Sequence, residues 1–455
     1  MKQDLIAILP QLVVLATAMA VLCFEMLGRP RGGLITLATG MLAATALGIA
    51  WMGRETTAFS GTFRVDTLSH WAILILCPSA ILVALLARSE VGGRPREGTL
   101  YSLLVFSTLG SAILAGAGDL MFLVLGVLLN GLSGFALAAH PKDDPSSEGA
   151  MKYFIYGSVT GAIMTFGLAY WVGMTGTTYL SALAGPMEPL PYALGFIALL
   201  AGLGYAASLF PFHFWTPDTF EGAPVSVAAF LSVTPKIGAI FALAQVTTQL
   251  PDAFRQVSLL LLALVAAASM TFGNVVALWQ DKLVRLLAYS TVAQSGYFLL
   301  GPIAIGHSPL ALPTLVVFGI AYAAMNLGAF AIVLAHGRTI DALHGLGRRH
   351  PWAAAALTVF LLSLVGIPPL AGFAGKFLLF GAALDAGFGW LAVIAILNSA
   401  ISLAVYLRII HPVYFKPPSG PKRDIAMPLR VTWATCLFLT LAAGLGMQWM
   451  IAAAR

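Results

Sequence analysis

Two stretches, APVSVAAFLSVTPKIG (223–238) and GIPPLAGFAGKFLLF (366–380), decide the reading of this chain. Each is apolar, each carries proline and small residues, and each sets a lysine, Lys236 or Lys376, inside a segment of membrane length. A charged side chain in hydrocarbon costs roughly 2.5–3.5 kcal/mol, so intramembrane lysines mark an ion or proton path by default. The proline removes a backbone donor and frees a carbonyl. Such backbone is tolerated at membrane depth only where protein or a water-filled cavity surrounds it. A pair of interrupted segments at matching places in two halves points to an internally repeated transporter with its site at the repeat interface.

Composition agrees with a membrane chain. Of 455 residues, 59% are hydrophobic and 9% charged, against about 25% charged in a soluble domain; the mean hydropathy is +0.91. A span needs about 20 apolar residues. Fourteen such segments are expected, at about 4–27, 33–53, 67–88, 98–117, 119–140, 150–174, 193–211, 224–248, 256–279, 284–306, 309–335, 352–380, 387–413 and 428–451. The expected fold is an all-α polytopic membrane protein with two inverted repeats and broken eighth and twelfth segments. The divisions expected are an N-terminal three-helix segment (1–97), a first repeat (98–248), a second repeat (256–413) and a C-terminal loop and helix (414–455).

Residues 1–27 have the length of a signal peptide, but Asp4 interrupts the basic start and no small-residue cleavage site stands out, so they read as a retained first helix. The odd-numbered connections hold 17 lysines and arginines and the even-numbered ones 3, namely Arg54, Arg64 and Arg255. By the positive-inside rule the odd connections are cytoplasmic and both termini lie on the other side. The net charge of +6 follows this loop pattern and does not call for nucleic acid. Cys23, Cys77 and Cys436 lie in apolar segments without metal-ligand spacing and read as buried, inert thiols. There are too few cysteines for an iron–sulfur cluster, and no GxGxxG follows a strand.

Burial makes an ammonium costly, which lets a lysine take up and release a proton near neutral pH. Lys236 and Lys376 are therefore the first candidates. Around them lie uncharged polar residues, among them Ser232, Ser290, Gln294, Asn326, Asn398, Ser399 and Ser402. These can carry a water wire or bond across helices as packing contacts. His213, in PFHFWTPD (211–218), can relay protons or anchor its loop.

The strings PFHFWTPDTFEGAP (211–224), VRLLAYSTVAQSGY (284–297), YAAMNLGAF (322–330), LHGLGRRHP (343–351) and GIPPLAGFAGKF (366–377) resemble the proton-translocating subunits of respiratory complex I and the related multisubunit cation/proton antiporters. MNLGAF, EGAMKYF (148–154) and LNSAISLAVYLR (397–408) are most similar to the subunit N family of NADH–quinone oxidoreductases, over roughly residues 65–415. The resemblance implies a proton path through Lys236, Lys376 and Lys152, with Gln294 standing where a histidine is common. It implies other membrane subunits as partners, the bacterial inner membrane as location, and NADH, flavin, iron–sulfur clusters and quinone in partner subunits rather than on this chain. The family also places a glutamate in the fifth segment and a lysine in the seventh. LGVLLNGL (125–132) and GYAASLFPFH (204–213) put Leu128 and Ala206 at those positions. Losing one member of a buried ion pair strands a charge, whereas replacing both can be neutral. Other readings are a subunit of a multisubunit Na⁺/H⁺ antiporter or membrane-bound hydrogenase, or a non-conducting structural subunit.

Overall fold

The computed structural model describes residues 1–419 and 424–454. Lys422 and Arg423, which entered the count of loop charges, and the terminal Arg455 lie outside the described residues. The first crossing is made by α1 (Lys2–Ala7) with α2 (Leu9–Met26), and the second by α3 (Pro30–Trp51). A short antiparallel hairpin of β1 (Thr56–Ala58) and β2 (Phe63–Val65) leads into α4 (Thr67–Val91). Then come α5 (Glu97–Ala115), α6 (Leu120–Ala138), α7 (Asp144–Thr175) and α8 (Pro189–Ala206). The short connecting helix α9 (Trp215–Gly222) precedes α10 (Val225–Thr247) and α11 (Asp252–Ala277). The second half continues with α12 (Leu283–Phe298), α13 (Leu300–Ala304), α14 (Ala311–His336), α15 (Leu346–Arg349), α16 (Pro351–Val365), α17 (Ala371–Asp385) and α18 (Gly389–Phe415). It closes with α19 (Met427–Leu445) and α20 (Met447–Ala454).

Among the described residues, 12 helices are long and apolar enough to cross a membrane. The other two crossings are each a pair, α12 with α13 and α16 with α17. All fourteen expected segments are therefore present.

Local chemistry sets the helix starts. Asp66 and Asp143 each form a capping box at the head of α4 and α7, accepting from Ser69 N and Ser146 N at 2.9 Å. Asp119 accepts from Met121 N at 2.7 Å to start α6. Each satisfies amides that a helix N-terminus otherwise leaves unpaired.

The middle of the bundle is α10, buried along its whole apolar window, with α14 beside it at 94%. The outer helices α3, α7 and α19 bury only 28% of theirs, which leaves them facing lipid or neighbours. Close approach at the centre needs small residues. A Cβ at Gly238 of α10 would stand 2.8 Å from the Ser111 Cα of α5, so glycine is what lets these two helices meet.

Two expectations need correction. The eighth segment, α10, is continuous through Pro235, and the interruption lies before it, at residues 207–214 between α8 and α9. Pro235 costs α10 one hydrogen bond, and neighbours packed on every side hold the helix together. In the earlier stretch Ser208 takes a left-handed backbone (φ 58°) and Pro211 follows, so α8 cannot continue. The second correction is Cys23, which is exposed, whereas Cys77 and Cys436 are buried as expected.

Candidate functional site

The twelfth segment breaks as the sequence predicts. Val365 ends α16, Gly366 turns the chain at φ 99°, Pro368 and Pro369 follow, and α17 begins at Ala371. A side chain at Gly366 would be strained, so glycine is required there. A helix end leaves carbonyls unpaired, and two of these are claimed by the candidate polar residues. Gln294 Nε2 donates to Leu364 O at 3.1 Å, and Lys376 Nζ donates to Val365 O, also at 3.1 Å.

Lys376, 2% exposed, makes two more contacts. Its Nζ lies 3.3 Å from Ser399 Oγ and 3.8 Å from the centre of the Tyr297 ring. Tyr297 OH in turn lies 3.2 Å from Ser399 Oγ. Ser290, Gln294 and Tyr297 are spaced by four and three residues, which sets them on one face of α12. Ser290 Oγ pairs with Tyr406 OH at 2.6 Å. Asn398 turns toward α11, donating to Thr271 Oγ1 at 3.0 Å and accepting from Asn274. The structure thus gathers Lys376, Gln294, Ser290 and Asn398 into one polar zone between α11, α12, α17 and α18.

The first half is built differently. Lys236 is fully buried, and its Nζ has no hydrogen-bond partner among the described residues. It faces aromatic rings instead, 4.7 Å from the Trp215 centroid and 5.5 Å from that of Phe220. Cation–π contact of this kind is worth about 0.5–2 kcal/mol, most when desolvated. Trp215 is itself fixed. Its indole N–H donates to Tyr205 O at 3.1 Å, a carbonyl of the last turn of α8, and Tyr153 stacks on its ring at 4.0 Å. One turn before Lys236, Ser232 accepts from Asn326 Nδ2 at 2.6 Å, and its carbonyl accepts from Tyr322 OH at 2.7 Å. Tyr322 and Asn326 belong to α14, which joins the two halves.

The remaining candidates make no hydrogen bond to Lys236 or Lys376 among the described residues. Lys152 pairs with Glu148 at 2.7 Å and Asp218 at 2.8 Å. Asp218 also holds Arg285 at 2.6 Å, and Glu221 binds Arg285 at 3.0 Å and Lys282. This half-exposed network joins α7, α9 and α12 at one end of the bundle. Burial alone would raise the carboxyls of Asp218 and Glu221. The hydrogen bonds from Lys152, Lys282 and Arg285 outweigh it and hold both below the usual carboxylate range. His213 is buried against Phe210, Phe214 and Phe272, and its Nδ1 has no partner among the described residues. Leu128 is 50% exposed on the outer side of α6, whereas Ala206 is 5% exposed.

Residue patterns alone missed Trp215, Phe220, Tyr297 and the Val365 carbonyl. The signal for Trp215 was present, since it stands two residues after His213 in the most specific of the quoted strings.

The profile of the NADH:quinone oxidoreductase/Mrp antiporter transmembrane family matches residues 117–402, the stretch that contains both lysines and both interruptions. The chain belongs to this family. It is 40% identical to subunit N 1 of NADH-quinone oxidoreductase from Streptomyces griseus, over 97% of this chain and 95% of that protein. It is 38% identical to the subunit N of a Mycobacterium species, covering 90% and 91%. It is 37% identical to the F(420)H(2) dehydrogenase subunit N of Methanosarcina mazei, covering 98% and 96%. Among solved structures, a chain of respiratory complex I from Thermus thermophilus superposes with a TM-score of 0.86 at 31% identity, covering 97% of this chain and 98% of that one. A chain of the Mrp complex from a Dietzia species shares the fold, with a TM-score of 0.88 at 22% identity.

Proposed function

We propose that this chain is the antiporter-like subunit N of a complex I-type oxidoreductase, and that it moves protons through its second half by way of Lys376. The single observation that carries this reading is the pairing of Lys376 with Val365 O. This buried amine, held by a neutral carbonyl, a hydroxyl and a ring face, has no anion beside it among the described residues to lock its charge, so its proton can come and go. Ser399, Gln294, Tyr297, Ser290 and Tyr406 supply the polar groups along which a proton can pass. Quinone reduction, with NADH or another reduced carrier as donor, takes place in partner subunits, which hold the flavin and iron–sulfur clusters. Similarity to both NADH-quinone oxidoreductases and an F(420)H(2) dehydrogenase fits a chain that serves the membrane step whatever the electron donor.

The first half serves differently. With Leu128 and Ala206 in place of the family's carboxylate and amine, Lys236 rests on Trp215 and Phe220 and has no ion-pair or hydrogen-bond partner among the described residues. The loop charges support a polytopic arrangement in the bacterial inner membrane with both termini periplasmic.

The test is to replace Lys376 and Lys236 separately by methionine in the assembled complex and measure protons moved per electron. Loss of pumping or of coupled turnover in Lys376→Met, with the complex still assembled, is expected. Unchanged pumping and turnover in that variant would refute the proposal.

A further inference from the structure

Away from both lysines, the ends of α4, α5, α6, α7 and α14 surround a cavity of about 480 Å³. Four cations line it: Arg94, Arg96, Lys142 and Arg338. Two carboxylates, Glu90 and Asp143, line it as well, so the lining keeps an excess of positive charge, and both also hold helix ends. Glu90 accepts from Val225 N at 2.8 Å, Ser226 N at 2.9 Å and Ser226 Oγ at 2.7 Å, so it caps α10. Asp143 caps α7 through Ser146 N. Arg338 donates to the carbonyls of Phe220, Glu221 and Ala223, which orient its guanidinium without cancelling its charge. Among the described residues, Arg94, Arg96 and Lys142 have no ion-pair partner.

The backbone gives an independent sign. Arg96 and Lys142 both have left-handed φ, 67° and 60°. Glycine adopts this conformation freely and long side chains rarely do. Two cations held this way on the rim of one cavity mark a place where position serves something other than folding. Exposed guanidinium and ammonium side chains lining such a space suit a phosphate. The cavity opens at helix ends, on the side where the Lys- and Arg-rich connections lie. Basic pockets of this type at the membrane surface take lipid headgroups.

We propose that this cavity binds the phosphate of an anionic phospholipid headgroup, with Arg94, Arg96 and Lys142 as its ligands. Free phosphate offers the same chemistry, so the test separates the two sources. The intact complex is purified as wild type and as the Arg96→Gly/Lys142→Gly double variant, which removes two charges while relieving the backbone. Each is delipidated, supplied with phosphatidylglycerol, washed, and assayed for retained lipid by mass spectrometry, with inorganic phosphate as competitor.

The expected result is retention by the wild type, loss of that retention in the double variant, a melting temperature in the variant no lower than wild type, and no displacement by inorganic phosphate. Equal retention in both proteins overturns the site. Displacement by inorganic phosphate at matched concentration overturns the lipid assignment in favour of a soluble phosphate. If the double variant fails to assemble, Arg94→Gln, at an exposed residue of ordinary φ, takes its place: reduced retention supports the proposal and wild-type retention overturns it.

Discussion

The ammonium nitrogen of Lys376 lies 3.1 Å from the carbonyl oxygen of Val365, the last residue of α16. The break in the twelfth segment and the lysine that follows it are thus one device: the break exposes an acceptor, and the lysine reaches back eleven residues to occupy it.

Lys376→Met removes this donor and leaves Val365 O unpaired inside the bundle. An unsatisfied buried acceptor costs about 1–3 kcal/mol, so the variant complex should assemble but melt at a lower temperature. A melting temperature equal to wild type would mean that the contact contributes nothing to holding the break.

The contact between Lys236 and Trp215 makes a graded prediction. Trp215→Phe keeps a ring face and should retain most of the behaviour of the native protein. Trp215→Leu removes the face, and cation–π contacts are worth about 0.5–2 kcal/mol. Trp215→Leu should therefore melt at a lower temperature than Trp215→Phe. Equal melting temperatures in the Phe and Leu variants would show that the ring does not hold the lysine.

Asp218 joins Lys152 to Arg285, and its carboxyl sits below the usual carboxylate range in the folded chain. A group depressed in this way adds stability above its unfolded value, near 4, and that stability is lost as pH falls through the lower folded value. Asp218→Asn should therefore be less stable than wild type at neutral pH, with the gap narrowing in acid. Thermal melts from neutral pH downward check this, and a gap independent of pH would exclude the titration as its cause.

Leu128 faces outward and Ala206 inward, so a glutamate and a lysine placed at these two positions should not form a pair within this chain. Ala206→Lys puts a charge among apolar neighbours and should cost several kcal/mol. Leu128→Glu, on the outer side of α6, should depend on what covers that face. The effects of the two changes should add to within about 0.5 kcal/mol. A favourable coupling beyond that in the double variant would place the two side chains in contact.

A reporter fused at the C-terminus that works only in the cytoplasm should stay silent. Activity from that fusion would reverse the orientation inferred from the loop charges.

Much of the fold was legible in the residues. Apolar length alone locates the fourteen crossings, because a membrane fixes how long a helix must be. The break at Gly366–Pro369 was legible for the same reason that it exists: glycine and two prolines in sequence cannot continue a helix. Pro235 misled because a single proline is an ambiguous signal. Inside a helix packed on all sides its lost hydrogen bond is tolerated, and the actual interruption is set by Ser208 and Pro211. The surroundings of the lysines were less legible. Ser399 and Gln294 were visible as polar residues in apolar helices. The rings of Trp215 and Tyr297 look like ordinary core in a sequence, and Val365 offers only its backbone, which no side-chain pattern can announce.

The complete burial of α10 has a consequence for access. Lys236 is shielded from the bilayer on every side, so a lipophilic, amine-directed reagent dissolved in the acyl chains has no line of approach to it. Whatever exchanges a proton with this lysine must travel along the bundle from one of its wet ends. Lys236 is insulated from the bilayer that surrounds the bundle.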